Sequence, residues 1–179
     1  MKTVSFFTKH AIRDRKMRSP REIPKPYKTM QKISASVVIN VQIKSVFAAL
    51  TNVTSNVDWI RSVVRVELID ELPIEEGFRF RETGGFMGVN TTDEKQVIVF
   101  QPPHLFGFAG QFLGNSTLYQ LTTLDDGMTE VKVTLAGTPP RGTPKIVQRN
   151  VLRQAVKRIS ADLERLGQKL EAQAMENRS

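Results

Sequence analysis

Near the end of the chain, between Lys145 and Ala174, Leu152, Ala155, Val156, Ile159, Leu163, Leu166 and Leu170 recur at steps of three and four. That spacing predicts one amphipathic helix, with Arg153, Lys157, Arg158, Asp162, Glu164, Arg165 and Lys169 on its opposite face. About thirty helical residues rise about 45 Å. A stripe of that length needs an equally long apolar surface to lie on, and the rest of the sequence supplies strands for it.

"SASVVINV" (34–41) alternates, with Ala35, Val37, Ile39 and Val41 on one face, and reads as a strand. "IKSVFAALTNV" sets Val46, Phe47 and Leu50 at helical spacing. "SNVDWIRSV" reads as a second short helix, capped by Ser55 or Asn56, with Trp59 on its inner side. A meander follows, with strands over 63–70, from 78, over 94–100, 105–110, 116–124 and 128–137, making seven with the first. Asp126-Gly127 is a hairpin signal. Pro102-Pro103 mark a corner between two antiparallel strands, where missing N–H donors do no harm. Phe100 precedes that corner, and Phe106 and Phe108 follow it on one face. The class is α+β: a curved antiparallel sheet of seven strands wrapped on a long C-terminal helix, with two short helices after the first strand. Short side chains cannot close-pack such a space throughout, so an internal cavity is expected.

Charge is unevenly placed. The chain carries a net +8, yet residues 1–32 hold ten Lys/Arg against Asp14 and Glu22, and the remainder is balanced. Three domain segments follow: a basic extension at 1–32, a ligand-binding domain at 33–174 and a tail at 175–179. The extension reads as disordered chain or as sequence upstream of a start at Met30. It also reads as an Arg-rich transit peptide, or as an electrostatic arm for a membrane or RNA. No apolar run reaches the length of about 20 residues that spans a bilayer. The absence of cysteine excludes disulfides and thiolate chemistry and fits a reducing compartment. The expected location is the cytoplasm, or an organelle if the extension is a transit peptide.

The chemistry-bearing residues are few. Glu82 continues the Phe78/Phe80 face by period two. It is either an inward carboxylate with a raised pKa, able to bond a ligand or act as an acid, or a solvated strand end. Tyr119 offers a phenolic O–H to a ligand, or is a core tyrosine whose hydroxyl reaches solvent. His104 reads as a surface turn residue. With only His10 besides, no histidine metal site is credible, and neither metal nor cofactor is expected. "GGFMG" (84–88) lacks the Lys-Ser/Thr of a phosphate loop and reads as a mobile loop between strands, with Phe86 and Met87 as a lid or a membrane-touching tip. No nucleic-acid motif supports sequence-specific binding.

In order and spacing, several strings resemble the START/SRPBCC superfamily with its helix-grip fold, and within it the polyketide cyclase/dehydrase and lipid transport group. These are "VVINVQIKSVFAALTNV", Trp59, "VVRVELID" into "EEGFRFRET", "VIVFQPPHLFGF", "STLYQLTTLDDGMTEVKVTL" and "ISADLERLGQKLE", together covering roughly residues 34–172. The resemblance implies a tapering hydrophobic cavity between the concave sheet face and the last helix. Its wall would include Phe78, Phe80, Phe106, Phe108, Tyr119, Leu121, Val133, Leu152 and Ala155, with Trp59 anchoring the packing near the mouth. The function expected from it is binding or transport of a lipid, isoprenoid, polyketide or aromatic metabolite. The alternative is a cyclase or dehydratase moving protons with Glu82 or Tyr119. A third reading makes the body a scaffold for the basic extension.

Overall fold

A computed structural model describes residues 31–86, 89–111, 115–137 and 145–176, with side chains for all of these except 86, 89 and 145–153. Strand β1 (Gln31–Ile39) leads into helix α1 (Ile43–Thr51), a 3-10 turn (Val53–Ser55) and the single-turn helix α2 (Asn56–Trp59). Strands β2 (Val63–Leu68), β3 (Arg79–Phe86), β4 (Val89–Gln101), β5 (Leu105–Gly110), β6 (Ser116–Thr123) and β7 (Thr129–Gly137) follow, and helix α3 (Lys145–Glu176) ends the described chain. The order across the sheet is β1-β7-β6-β5-β4-β3-β2, and every pair is antiparallel. The seven strands and three helices expected from periodicity are all present.

Some boundaries move. Pairing begins at Gln31 and Lys32, opposite Gly137 and Ala136, so β1 starts inside the segment read as an extension. Residues 1–30 lie outside the described residues. At the other end, α3 runs through Met175 and Glu176. "GGFMG" is not a loop throughout: Gly84, Gly85 and Phe86 pair with Thr91, Asn90 and Val89 as the end of β3. A methyl group on Gly84 would meet the Ser62 carbonyl oxygen at 2.9 Å, so glycine lets the approach to β2 cross this strand closely. The Phe86 side chain and Met87 lie outside the described residues, so the proposed lid does too. Ser55 stands at the N-cap position of α2, as expected, but its side chain makes no capping bond there, and Asn56 is already the first helical residue. The Ser55 hydroxyl instead donates to the Asn52 carbonyl at 2.8 Å, and the Asn56 amide is held by a strand residue described below.

Rows of facing residues build the concave side. One runs Ala35, Val133, Tyr119, Phe106, Phe100 across five strands, and a second runs Ile33, Leu135, Thr117, Phe108, Val97. A bulge between Val97 and Val99 shifts the β4 alternation by one residue, which turns Phe100 inward beside Phe106. At the β6–β7 hairpin Asp126 and Gly127 both take positive φ, 69° and 76°, as the Asp-Gly pair predicted. Pro102 and Pro103 stand at the β4–β5 corner, where the His104 N–H closes the turn on the Gln101 carbonyl at 2.9 Å. His104 is exposed there.

The core joins this face to the helices: Ile39, Phe80, Phe106, Leu121, Val131 and Val133 pack with Val46, Leu50, Leu163 and Leu166 in one buried cluster. Helix α3 lies on β1, with Gly167 against Ile39. A seam between α2 and α3 is closed by polar bonds. The Arg165 guanidinium donates to the Trp59 carbonyl (2.6 Å) and to Asp162 (3.1 Å), Asp162 accepts the Arg61 N–H (3.1 Å), and Lys169 meets Asp58 at 2.6 Å. No helix among the described residues is long and apolar enough to cross a membrane, which says nothing of strands.

A methyl group on Gly167 would sit 3.3 Å from Ile39 Cγ1, so the helix rests as close to β1 as a small residue permits. Gly167→Leu is therefore expected to lower unfolding free energy in urea by about 2 kcal/mol through overpacking. Gly167→Ala should change it little, because its helix-propensity gain of about 1 kcal/mol offsets the mild crowding.

Candidate functional site

The aromatic side chains of the concave face touch one another in series. Phe47 meets Phe100 (5.6 Å between ring centroids), Phe100 meets Phe106 (6.2 Å) and Phe106 meets Phe108 (5.8 Å). Phe108 then meets Phe80 at 5.4 Å, and Tyr119 lies against both Phe106 and Phe108. Most are edge-to-face, the arrangement ring quadrupoles prefer, while Phe106 and Tyr119 stack nearly parallel. The chain of rings runs from α1 across β4, β5 and β6 to β3.

Of the residues expected to line a cavity, Phe78, Phe80, Phe106, Phe108, Tyr119, Leu121 and Val133 are all buried in the same cluster, and Trp59 with them. Ala155 is half-buried on α3, and the Leu152 side chain lies outside the described residues. A separate open cleft of about 580 Å³ lies between α1, α2 and the later part of α3, lined by Val41, Ala48, Ala49, Trp59, Leu166 and Leu170. It shares only Trp59 with the expected wall, and none of the rings in the series lines it.

At the β3 end the apolar wall turns polar. Glu82 points inward, and its side chain is only 12% exposed, so the solvated-end reading is overturned. Nor is its surrounding purely apolar. Lys95 Nζ, itself 13% exposed, binds Glu82 Oε1, and the Asn56 amide donates to Oε2 at 3.4 Å. Lys95 faces Phe80 across the β3–β4 ladder and holds its ammonium 4.9 Å from the Phe108 ring centroid, a cation–π contact that ties the ion pair to the aromatic series. Asp93 lies directly opposite Glu82 and accepts the Gln111 N–H at 3.0 Å. A methyl on Gly110 would fall 2.1 Å from Asp93 Oδ2, so only glycine leaves room for that carboxylate. On α2 the Asn56 residue is 2% exposed, and its Oδ1, like Trp59 Nε1, is buried without a hydrogen-bond partner.

Sequence reasoning named Glu82 and missed Lys95, Asn56 and Asp93. The signal was available in the hairpin. With Phe86 opposite Val89, the ladder puts Phe80 against Lys95 and Glu82 against Asp93. Reading "GGFMG" as a loop removed the register that reveals this.

Burial raises the Tyr119 pKa well above the usual phenol range, and the negative charges of Glu82 and Asp162 add to the effect. This tyrosine is a core residue, 7% exposed. Because the folded state holds the proton more tightly, Tyr119 costs no stability below the ordinary phenol pKa and loses stability as pH climbs above about 10. Tyr119→Phe is expected to flatten the alkaline fall in melting temperature, followed by circular dichroism. For the ion pair, removal of one partner strands a charge. Glu82→Gln or Lys95→Met should each cost about 3 kcal/mol in urea unfolding, and the double variant should recover much of it.

The comparisons with known proteins agree with this architecture. Among solved structures, the Zhui aromatase/cyclase from Streptomyces sp. R1128 superposes with a TM-score of 0.67 at 18% identity, over 82% of this chain and 96% of that one. A START superfamily protein from Mycobacterium smegmatis gives 0.67 at 12% identity, over 78% and 98%. TTHA0849 from Thermus thermophilus gives 0.66 at 14%, over 79% and 98%. At these identities the likeness is one of fold, the helix grip. A search of curated proteins finds no match. Residues 30–171 match the family model described as polyketide cyclase / dehydrase and lipid transport, within the START/SRPBCC superfamily, and the chain belongs to that family.

Proposed function

We propose that the protein binds a hydrophobic or amphipathic small molecule between the concave sheet face and α3, as a carrier or receptor rather than as an enzyme. The ligand classes this reading admits are lipids, isoprenoids, polyketides and aromatic metabolites. The observation that carries it is the continuous aromatic wall from Phe47 to Phe80 ending at a buried Glu82–Lys95 pair. Such a wall supplies affinity at roughly 25 cal/mol per Å² of apolar surface removed from water. A few fixed polar groups at one end supply orientation. The ligand-contacting set proposed is Phe78, Phe80, Phe106, Phe108, Tyr119, Leu121, Val133, Leu152 and Ala155, with Trp59 beside it.

The same observation argues against proton transfer by the two candidate residues. The Glu82 carboxylate is already engaged by Lys95 and Asn56, and burial keeps Tyr119 protonated. Neither is a ready base for a cyclase or dehydratase. The similarity to an aromatase/cyclase supports a shared fold and leaves the chemistry to these residues.

Native mass spectrometry of the full chain, purified from its own host, is expected to show a bound organic molecule released by solvent. Ala155→Phe, which fills space beneath α3, should weaken binding of an added apolar probe by about tenfold or more. Thermal stability should be kept. Recovery of no ligand, together with failure of every apolar probe to bind, would defeat the carrier reading.

A further inference from the structure

The polar end of the wall has a definite hydrogen-bonding character. Lys95 Nζ lies on Glu82 Oε1, and both side chains are nearly buried. A second carboxylate, Asp93, stands opposite Glu82 and accepts the Gln111 N–H, so the Lys95 cation is already met by negative charge. The orientation of Asn56 is fixed by the Glu82 carboxylate. Only the amide NH₂ can face Glu82 Oε2, because a flipped side chain would set carbonyl oxygen against carboxylate oxygen. The other atom of that amide, Oδ1, is therefore held as an acceptor. It is buried, without a partner, on a residue 2% exposed. A buried unsatisfied acceptor costs free energy unless something donates to it.

A ligand head group entering here meets an orphan acceptor beside a compensated ion pair. A carboxylate cannot donate to Oδ1, and it brings a negative charge up to Glu82. An ammonium can donate, but it arrives beside Lys95. An ether accepts from Lys95 and donates nothing. A hydroxyl, phenol or enol does both: its O–H serves Asn56 Oδ1 and its oxygen can accept from Lys95, with no change in charge.

Resting on the ligand-binding reading above, we infer that Asn56, Glu82 and Lys95 form a head-group subsite that selects an uncharged hydroxyl-bearing ligand over the corresponding carboxylate. Asn56 is the specificity residue, and the Glu82 and Asp93 carboxylates, with Lys95 already engaged, are what make the site intolerant of a further negative charge. The ligand is thus an apolar body ending in an alcohol, phenol or enol.

The test uses the full-length protein and four probes with one tail: n-decanol, decyl methyl ether, decanoate and decylammonium. Binding is read by calorimetry and by emission of Trp59, the single tryptophan, one helical turn from Asn56. Decanol is expected to bind roughly tenfold more tightly than the other three, the worth of about one buried hydrogen bond. Asn56→Ala should shrink the gap between decanol and its ether to about twofold or less. Glu82→Gln frees the Lys95 charge and should move the preference about tenfold or more towards decanoate. If Glu82→Gln fails to fold by circular dichroism, Asn56→Ala, which alters no charge, decides. Equal binding of all four probes, or tightest binding of decanoate or decylammonium to the wild type, would overturn this subsite and leave the carrier reading standing. Binding of none of them, with no ligand recovered from the native protein, would overturn the carrier reading itself.

Discussion

A seven-stranded sheet is too wide for one helix to cover. At about 4.8 Å between strands it spans roughly 30 Å, and a helix with its side chains is roughly 10–12 Å across. Everything inside the molecule answers to that mismatch. Helix α3 takes one edge, pressed on β1 where Gly167 admits Ile39. Helix α1 packs on β5 and β6, bringing Phe47 to Phe100. The territory far from α3 falls to the largest side chains available, and strands β3 to β6 carry phenylalanine and tyrosine where β1 and β7 carry valine, isoleucine and alanine.

Against such a wall an ion pair is an expensive ornament. Charges taken out of water repay their desolvation only with close geometry and further hydrogen bonds, and apolar residues of similar size often do as well or better. Glu82 and Lys95 have the close geometry, a ring face beneath the ammonium and an amide on the second oxygen. What they leave is Asn56 Oδ1, buried without a partner, as is Trp59 Nε1 one helical turn away.

Much of this was legible in the sequence because the relevant signals are local. The alternation in "SASVVINV" and "MTEVKVTLAG" depends only on which face meets water, and it returned β7 nearly whole and β1 from Ser34 onward. The stripe from Ala155 to Leu170 gave α3 for the same reason, and Asp126-Gly127 gave its turn. What escaped depended on pairing across strands. The bulge at Val97 broke the period within β4. Three residues of "GGFMG" joined a ladder because glycine was needed for a close crossing rather than for freedom. With the hairpin register lost, Lys95 looked like an ordinary charged residue at a strand start, and Asn56 looked like a helix cap. Neither residue announces its partner within its own neighbourhood.

The seam between α2 and α3 has a mechanical consequence. Much of the domain is joined by strand ladders and by buried apolar contact, both of which resist separation until the whole fold gives way. Along this line the joints are Arg165 on the Trp59 carbonyl, Asp162 on Arg61 and Lys169 on Asp58, partly wetted groups that solvent and dissolved ions compete for. The grip can thus loosen at its ionic clasp without a single rung of the sheet being broken.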